Sequence, residues 1–273
     1  MTQNKFYEET PSANQAYIEE RDLRIKKFKS DDDFINLSRK WREDAIKRKY
    51  MNNFSWLGRP LIQFPGDILA VQELISTIKP NKIIETGIAH GGSLILSSSM
   101  LFLNEIKNAE VIGIDIEIRE HNKIEIKKSR FSNMISLIEG SSIDQNVFEK
   151  VSEKITNDDK VMVFLDSNHT HEHVLKELNL YSKLVSKGSY IVVFDTHVED
   201  MPSDYVWEDR PWGKGNNPKT AVHEWLKENK NFEIDNYPEY KLDTVFKEAI
   251  YFHIRGMVNK SGLDYFTERL KKH

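Results

Sequence analysis

The sequence predicts an α/β fold with a mostly parallel sheet that carries helices on both faces. Short apolar segments alternate along the chain with longer segments in which apolar residues recur at helical spacing. One short segment, KIIETGIAHGGS over 82–93, passes through glycines directly into an apolar helix pattern, and several others end in an acidic residue. Strands that alternate with helices pair in parallel, because each helix returns the chain to the same edge of the sheet.

Residues 1–53 are predicted to form an N-terminal helical arm, and residues 54–273 one large domain. The segment EERDLRIKKFKS can form a helix, but it has few apolar residues. Asp31, Asp32 and Asp33 then start a second helix, since acids are favourable in the first helical turn. Its apolar side contains Phe34, Leu37, Trp41 and Ile46. An arm without a core of its own would pack on a partner chain, so we expect a homo-oligomer.

The segment YMNNFSWLGRPLIQFPGD over 50–67 is predicted to be an ordered loop, because prolines and glycines interrupt any regular pattern. Its aromatic residues either cover the sheet or form a wall of the substrate pocket that carries Arg59. Asp67 starts the next helix. Beyond it, the patterns predict strands over 111–115, 135–139, 161–166 and 190–195, weaker strands over 232–234 and 250–254, and helices over 94–103, 147–155, 173–185 and 219–228.

Composition excludes several classes of protein. The formal net charge of the 273 residues is −4, whereas proteins that bind nucleic acids present a basic face. There are no cysteines, so disulfides and thiolate metal sites are excluded, and a cytoplasmic protein is expected. The N-terminal residues are polar, and no apolar run is long enough for a membrane-spanning helix. We therefore expect neither a nucleic-acid partner nor a membrane span.

The glycine turn after the first strand predicts a cofactor site. Gly87 is followed by three residues and then by Gly91 and Gly92, so the spacing departs from the G-x-G-x-x-G pattern of dinucleotide-binding loops. Glu85 would repel a pyrophosphate but could pair with a cation, and S-adenosylmethionine carries an ammonium and a sulfonium. Ser93 is placed to cap the following helix. The alternative is an ordinary strand–turn–helix of an α/β domain.

The next strand ends supply candidates for binding a nucleoside. In parallel sheets ligands bind at the carboxyl ends of the strands, and Asp115 lies at such an end, 28 positions after Gly87. Its carboxylate could accept both ribose hydroxyls, or it could be a solvent-exposed acid. Ser141 or Ser142 in the GSSID segment could bond the adenine edge, although Ser142 or Asp144 could also cap a helix.

Two aspartates are predicted to bind Mg²⁺. Asp166 and Asp195 end neighbouring predicted strands, and adjacent strands lie about 4.8 Å apart, so both carboxylates can reach one ion. Magnesium prefers oxygen ligands and keeps several waters. His169 follows Asp166 by three residues and would sit beside the ion, where its imidazole could take a proton from a bound hydroxyl.

His169 belongs to the segment HTHEH, for which a zinc-hydrolase cluster is a rival interpretation. The spacing is one residue short of the H-x-H-x-D-H pattern, and no second histidine-rich ligand set follows. His171 and His173 are instead expected to face solvent from the first turn of a helix.

The segment over 198–219 is long, aromatic and polar. Loops of this length are usually functional or disordered, and Tyr205, Trp207 and Trp212 argue against disorder. Tryptophans beside Asp, Arg and Asn suit a sugar ring, which presents hydroxyls and an apolar face. A contact between subunits is the alternative.

Six segments together resemble the cephalosporin hydroxylase / rhamnosyl O-methyltransferase family. They are ETGIAHGGS, IGIDI, IEGSSID, FLDSNHTHEHV, SKGSYIVVFDTHVEDMP and GNNPKTAVHEWLK, and the resemblance covers roughly residues 54–255. It implies a Rossmann-like seven-strand methyltransferase sheet whose last strand is antiparallel. It also implies Mg²⁺-assisted transfer of a methyl group from S-adenosylmethionine to a hydroxyl of a small-molecule sugar or nucleotide sugar.

The resemblance further implies that Asp166 and Asp195 bind the metal and that His169 is the base, with Asp166 also bordering the cofactor. The expected cofactor residues, from the methionine end to the adenine, are Glu85, Gly87, Gly91, Ser93, Asp166, Asp115 and Ser142.

This chain departs from the family pattern at one metal position. Several members have a glutamate just before the second metal aspartate, where this chain has Phe194. The third protein ligand is therefore open between Glu199, Asp200 and water. A metal-dependent hydroxylase or hydrolase on the same fold, or a non-catalytic nucleoside-binding subunit, is the alternative function.

Overall fold

The computed structural model describes residues 11–28, 30–235 and 250–254. The helices are α1 (Pro11–Phe28), α2 (Asp32–Lys47), α3 (Pro65–Ile78), α4 (Gly92–Leu103), α5 (Glu120–Lys128), α6 (Gln145–Ser152), α7 (His171–Tyr181) and α8 (Pro218–Trp225). The strands are β1 (Phe54–Trp56), β2 (Arg59–Leu61), β3 (Lys82–Thr86), β4 (Glu110–Asp115), β5 (Ile135–Glu139), β6 (Val161–Leu165), β7 (Tyr190–Val193), β8 (Phe232–Ile234) and β9 (Ile250–Ile254). The α/β prediction is confirmed.

The central sheet has the spatial order β5-β4-β3-β6-β7-β9-β8. Strands β3 to β7 are parallel, and β9 runs antiparallel between β7 and β8. The order reverses at β3, which pairs with β4 on one side and β6 on the other. Ligands of such sheets bind outside the carboxyl ends of the strands at this reversal.

The parallel strands are apolar on both faces because helices cover both. Ile83 belongs to one buried cluster, with residues of α3 and α4, and Ile84 belongs to a second cluster with residues of α7 and α8. Successive side chains of a strand point to opposite faces, which is why the strand reads as a continuous apolar run. Burial of each such side chain contributes roughly 1.5–3 kcal/mol.

A β-hairpin and a helix of the structure were not predicted. Residues 54–61, expected within a loop, form the antiparallel hairpin β1–β2. Its turn uses left-handed backbone at Leu57 (φ 47°) and Gly58 (φ 84°), which suits a tight hairpin. Helix α5 was missed because its apolar residues, Ile124 and Ile126, are two positions apart and do not mark a helical face.

The N-terminal arm is joined to the domain by the end of α2. Ala45 and Ile46 are buried with Phe64 and Met201, whereas Phe34, Leu37 and Trp41 of the predicted apolar side are exposed. The homo-oligomer and the boundary at 53/54 stay predictions. Within the part of the chain that the structure describes, no helix combines the length and the apolarity needed to cross a membrane.

Candidate active site

A cleft of about 960 Å³ lies at the carboxyl ends of the parallel strands. Sites for small molecules commonly have volumes of roughly 300–1,000 Å³. Six residues that the sequence predicted line it, namely Gly87, Ser93, Asp115, Asp166, His169 and Asp195. Three others, Glu85, Gly91 and Ser142, lie outside the lining.

The glycine turn is fixed against the neighbouring strand ends. Gly87 has a φ of 80°, and a Cβ atom there would lie 2.0 Å from the carbonyl oxygen of Asp166, so only glycine fits. Asp115 Oδ2 accepts hydrogen bonds from the backbone N–H groups of Ile88 (2.9 Å) and Ala89 (3.4 Å). The Asp115 carboxylate therefore holds the turn in shape as well as lining the cleft.

Glu85 is a buried acid beside this turn, with 2% of its surface exposed. Ser93 lies in the first turn of α4 and donates a hydrogen bond to Glu85 Oε1. The expectation that Ser93 caps the helix is wrong, because Gly91, in left-handed conformation, occupies the N-cap position. Burial raises the pKa of Glu85 to about 8, although the Ser93 hydrogen bond opposes the rise. Its Oε2 is buried and has no hydrogen-bond partner among the described residues.

Three residues at the ends of β6 and β7 form a group that can hold a metal ion. Ligand atoms of Asp166, His169 and Asp195 all lie within 4.8 Å of one another. His169 Nε2 is 2.6 Å from Asp195 Oδ2. Asp195 has a left-handed φ of 55°, a strained conformation that is common at functional sites. The structure thus brings together the three side chains that the sequence predicted to share one site.

The surroundings of the two aspartates shift their pKa values in opposite directions. Burial raises the pKa of Asp166 well above its usual range, and the carboxylates of Asp195 and Glu85 add to the effect. Burial also acts to raise the pKa of Asp195, but the charge and hydrogen bond of His169 hold it at about 2. Acidic side chains this close repel one another, and a divalent cation removes that repulsion. The donor set therefore fits a hard cation such as Mg²⁺.

Neither acid proposed as a third ligand is positioned for it. Glu199 Oε2 accepts a hydrogen bond from the backbone N–H of Gly215 (2.7 Å), and Asp200 Oδ1 is 2.6 Å from Lys219 Nζ. Phe194, the residue directly before Asp195, is buried and apolar and offers no ligand atom. The carboxylates of Glu199 and Asp200 instead hold the long loop and the start of α8 in place.

A model of the rhamnosyl O-methyltransferase/CmcI family matches residues 48–254. The chain belongs to this family. The rhamnosyl O-methyltransferase of Mycobacterium bovis BCG is 27% identical over 171 residues, which cover 58% of this chain and 67% of that protein. The enzyme of the same name from Mycobacterium leprae is 26% identical over 154 residues, which cover 55% of this chain and 64% of that protein. The expectation of an O-methyltransferase is thus confirmed at the level of the family.

Solved structures confirm the Rossmann-like methyltransferase fold. A structure of CmcI with Mg and SAM has a TM-score of 0.51 at 16% identity and covers 73% of this chain and 76% of that chain. The O-methyltransferase TomG from Streptomyces achromogenes, in complex with SAM, has a TM-score of 0.52 at 13% identity, with coverage of 80% and 90%. At these identities the likeness establishes the fold alone.

The two other histidines of the HTHEH segment do not face solvent, so that expectation is wrong. His171 Nδ1 is 2.8 Å from Thr220 Oγ1, which ties α7 to α8. His173 Nε2 is 3.0 Å from Ser142 Oγ. Within the described residues, His169 is the only one of the three histidines that belongs to a group able to hold a metal ion. His171 and His173 are therefore not the metal ligands that a zinc-hydrolase site in this segment would need.

Ser142 belongs to a buried polar cluster rather than to the cleft lining. His173 Nε2 lies within hydrogen-bond distance of both Ser142 and Ser167, and Ser167 donates to Glu177 Oε1 at 2.7 Å. Tyr181 donates to the backbone carbonyl of Ser142 at 2.8 Å. The cluster joins the loop after β5 to the loop after β6, and a contact of Ser142 with adenine stays a prediction. Glu177 was missed because a single acid within a helix carries no sequence signal.

Arg59 does not point into the cleft, although the interpretation of its segment as a wall of the substrate pocket expected it to. Its Nε donates to the carbonyl oxygen of His90 (3.1 Å) and its Nη2 to Asn122 Oδ1 (2.9 Å), which braces the glycine turn from outside. Instead, β2 and the two residues after it contribute the stretch 60–63 to the cleft lining. Gln63, the last residue of that stretch, was not singled out from the sequence, and its side chain opposes the rise in the pKa of Asp166 as a hydrogen-bond partner.

The long aromatic loop lines the cleft opposite the glycine turn. Tyr205, Trp207, Arg210 and Trp212 all belong to the lining. The Trp212 ring lies edge-on to the His169 ring, with 4.6 Å between centroids, and the Arg210 guanidinium lies 5.1 Å from the Trp212 ring. This placement favours a pocket wall over the alternative of a subunit contact.

Proposed function

We propose that this chain is an S-adenosylmethionine-dependent O-methyltransferase that requires Mg²⁺ and acts on a hydroxyl of a sugar, in a nucleotide sugar or a glycan precursor. The observation that carries the proposal is the convergence of Asp166, His169 and Asp195 in the same cleft as the glycine turn. The names of the relatives, rhamnosyl O-methyltransferases, support a sugar as the acceptor.

The cofactor would lie along the carboxyl ends of β3 and β4. Glu85 presents an acceptor oxygen without a partner in the described structure, and the ammonium of the methionine end would supply the missing hydrogen bond. Asp115 lines the same cleft at the end of β4, where a carboxylate can accept the ribose hydroxyls. The approach of the Gly87 backbone to Asp166 keeps the floor between these two acids free of side chains.

Asp166 and Asp195 would hold the Mg²⁺ ion. When bound, the ion supplies positive charge that lowers the pKa of an acceptor hydroxyl. The aspartates fix the position of that charge beside His169, and the walls of the cleft align the hydroxyl with the methyl group. Alignment of two bound reactants supplies a large part of the rate gain in reactions of this kind.

His169 would take the proton of the acceptor hydroxyl. A bond then forms between the hydroxyl oxygen and the methyl carbon, the carbon–sulfur bond breaks, and the sulfonium becomes the neutral thioether of S-adenosylhomocysteine. Asp195 Oδ2 accepts a hydrogen bond from His169 Nε2, so in the neutral ring the free lone pair lies on Nδ1. The edge of Trp212 packs on the ring and limits its rotation. A carboxylate that orients a histidine base also stabilises the imidazolium that forms.

The test compares His169→Ala with His171→Ala, a substitution two positions away in the same segment. Removal of a general base typically lowers turnover by about 10²- to 10⁴-fold, whereas the control loses contacts with Thr220 and Glu224 of α8. Binding of S-adenosylhomocysteine and of Mg²⁺ should survive in both variants. The assay follows S-adenosylhomocysteine release with candidate sugars, with and without EDTA.

Three results would contradict the proposal. Near-normal turnover by His169→Ala at saturating Mg²⁺ would make the histidine a structural residue. Turnover that continues in EDTA, or binding of NAD without binding of S-adenosylhomocysteine, would remove the metal or the cofactor from the mechanism.

A further inference from the structure

Within the described residues, the proposed cation site offers two protein carboxylates, those of Asp166 and Asp195. Phe194, directly before Asp195, is 3% exposed and packs edge-on against Phe164 with 6.1 Å between ring centroids, so it supplies no oxygen. Glu199 and Asp200 are held by other residues. A hard cation between Asp166 and Asp195 would therefore draw its remaining ligands from water or from a neutral neighbouring side chain.

Gln63 is such a neighbour. It lies between β2 and α3, lines the same cleft as Asp166 and is 4% exposed. Its side chain opposes the rise in the pKa of the Asp166 carboxyl as a hydrogen-bond partner. Its backbone position is fixed, because Leu61 and Phe64 on either side are buried in the core.

The amide oxygen of Gln63 has no hydrogen-bond partner among the described residues, although it is buried. A buried acceptor left unpaired is destabilising, and such a group in a native protein calls for an explanation, of which a bound ion is one. The terminal torsion of glutamine is broad and nearly two-fold, so Oε1 and Nε2 can exchange places at small cost. The oxygen can thus turn to whatever cation Asp166 holds.

We infer that Gln63 supplies the third protein oxygen to the cation held by Asp166 and Asp195. Amide oxygens are ordinary ligands of hard cations. A neutral donor suits this site, since Glu85 adds a further buried acid to the two aspartates and another carboxylate would increase their repulsion. The inference rests on the proposed function, because it concerns the same cation.

A structural role for Gln63 would look different from ligation. An amide that only donates to Asp166 orients the carboxylate, and its loss leaves the coordination shell of the ion unchanged. A ligand that is lost is replaced by water. The number of waters bound directly to the ion therefore separates the two roles.

The experiment uses Mn²⁺ as a paramagnetic probe on the full chain. Affinity is measured by calorimetry, and directly bound waters are counted by electron spin-echo spectroscopy in D₂O. Gln63→Leu should lower Mn²⁺ affinity by at least about 10-fold, within the 10- to 100-fold range for residues that support metal sites, and should add one bound water. Gln72→Leu is the matched control, since Gln72 bonds Ser76 within α3, outside the cleft.

Unchanged affinity and water count in Gln63→Leu would overturn the inference while leaving the proposed function intact. If Asp166→Asn does not affect Mn²⁺ binding to the otherwise unaltered chain, both are overturned. Binding of S-adenosylhomocysteine reports whether Gln63→Leu folds. Should it fail to fold, Gln63→Glu decides the question: ligation predicts tighter Mn²⁺ binding with an unchanged water count, and an altered count overturns the inference.

Discussion

Replacement of Glu85 by glutamine should stabilise the ligand-free protein and weaken cofactor binding at the same time. Glu85 is buried, and among the described residues only one of its two carboxylate oxygens is bonded, to the hydroxyl of Ser93. Glutamine keeps an acceptor oxygen for Ser93 and removes the ionisable group. The same change removes the carboxyl group that would ionise beside the ammonium when the cofactor binds.

The magnitude follows from the pKa of Glu85, which burial raises from an ordinary 4.5 to about 8. At pH 7 the unfolded chain ionises this group and the folded chain keeps it protonated, which costs about 3 kcal/mol at about 1.4 kcal/mol per pH unit. Glu85→Gln should therefore raise the free energy of unfolding by up to about 3 kcal/mol at pH 7. The amide N–H groups that glutamine adds to a buried site reduce this gain.

The direction of the pKa shift of Glu85 determines the pH range in which the effect appears. Below pH 4.5 the carboxyl is protonated in both states, so wild type and variant should differ little there. The penalty of the wild type grows as pH rises from 4.5 to about 8 and is constant above that, because the folded-state pKa is the raised one. The advantage of the variant should therefore increase with pH across this window.

Urea unfolding of the ligand-free protein at several pH values between 4.5 and 8.5 measures the effect. Glu153→Gln, at an exposed position after α6, is the matched control and should show no comparable trend. Calorimetry with S-adenosylhomocysteine should show binding weakened by about 1.5–3 kcal/mol in Glu85→Gln, the range for hydrogen bonds to charged groups.

Two outcomes would refute the reasoning. If the difference in unfolding free energy does not change with pH, Glu85 is not the buried, mostly protonated acid described above. If S-adenosylhomocysteine binds equally well to the variant, the carboxylate does not face the ammonium and the cofactor lies elsewhere.

Three further predictions concern the cofactor, acid stability and assembly. Asp115→Ala should weaken S-adenosylhomocysteine binding by about 1.5–3 kcal/mol in calorimetry, and equal binding would exclude a ribose contact. Glu110→Gln should destabilise the protein in urea unfolding at pH 7. Although burial alone would raise its pKa, hydrogen bonds from Lys82, Ser136 and Lys154 hold it at about 2. The stabilisation by Glu110 is present above about pH 4.5 and lost as pH falls through 2, so the variant and the wild type should converge there. Light scattering should show an oligomer at micromolar concentration, and a monomer would count against the exposed face of α2 as a contact.

The sequence alone determined the α/β fold and most of the element positions. Strands β5, β8 and β9 have the predicted bounds, and the other predicted strands differ by one or two residues. Strands of a covered parallel sheet must be apolar on both faces, so their positions can be read directly from the chain. The juxtaposition of Asp166 and Asp195 was predictable for a related reason: carboxyl ends of adjacent parallel strands meet at one edge.

Only the tertiary structure decided which side chains surround that edge. Gln63 lies near Asp166 although it belongs to the segment between β2 and α3, about a hundred positions earlier in the chain, and no local pattern distinguishes it from a surface glutamine. Arg59 donates to the carbonyl oxygen of His90 instead of pointing into the cleft, and His171 lies against Thr220 instead of facing solvent. Periodicity encodes which face of an element is apolar. The partner of a polar side chain depends instead on which distant segment packs beside it, and that is settled only when the whole chain has folded.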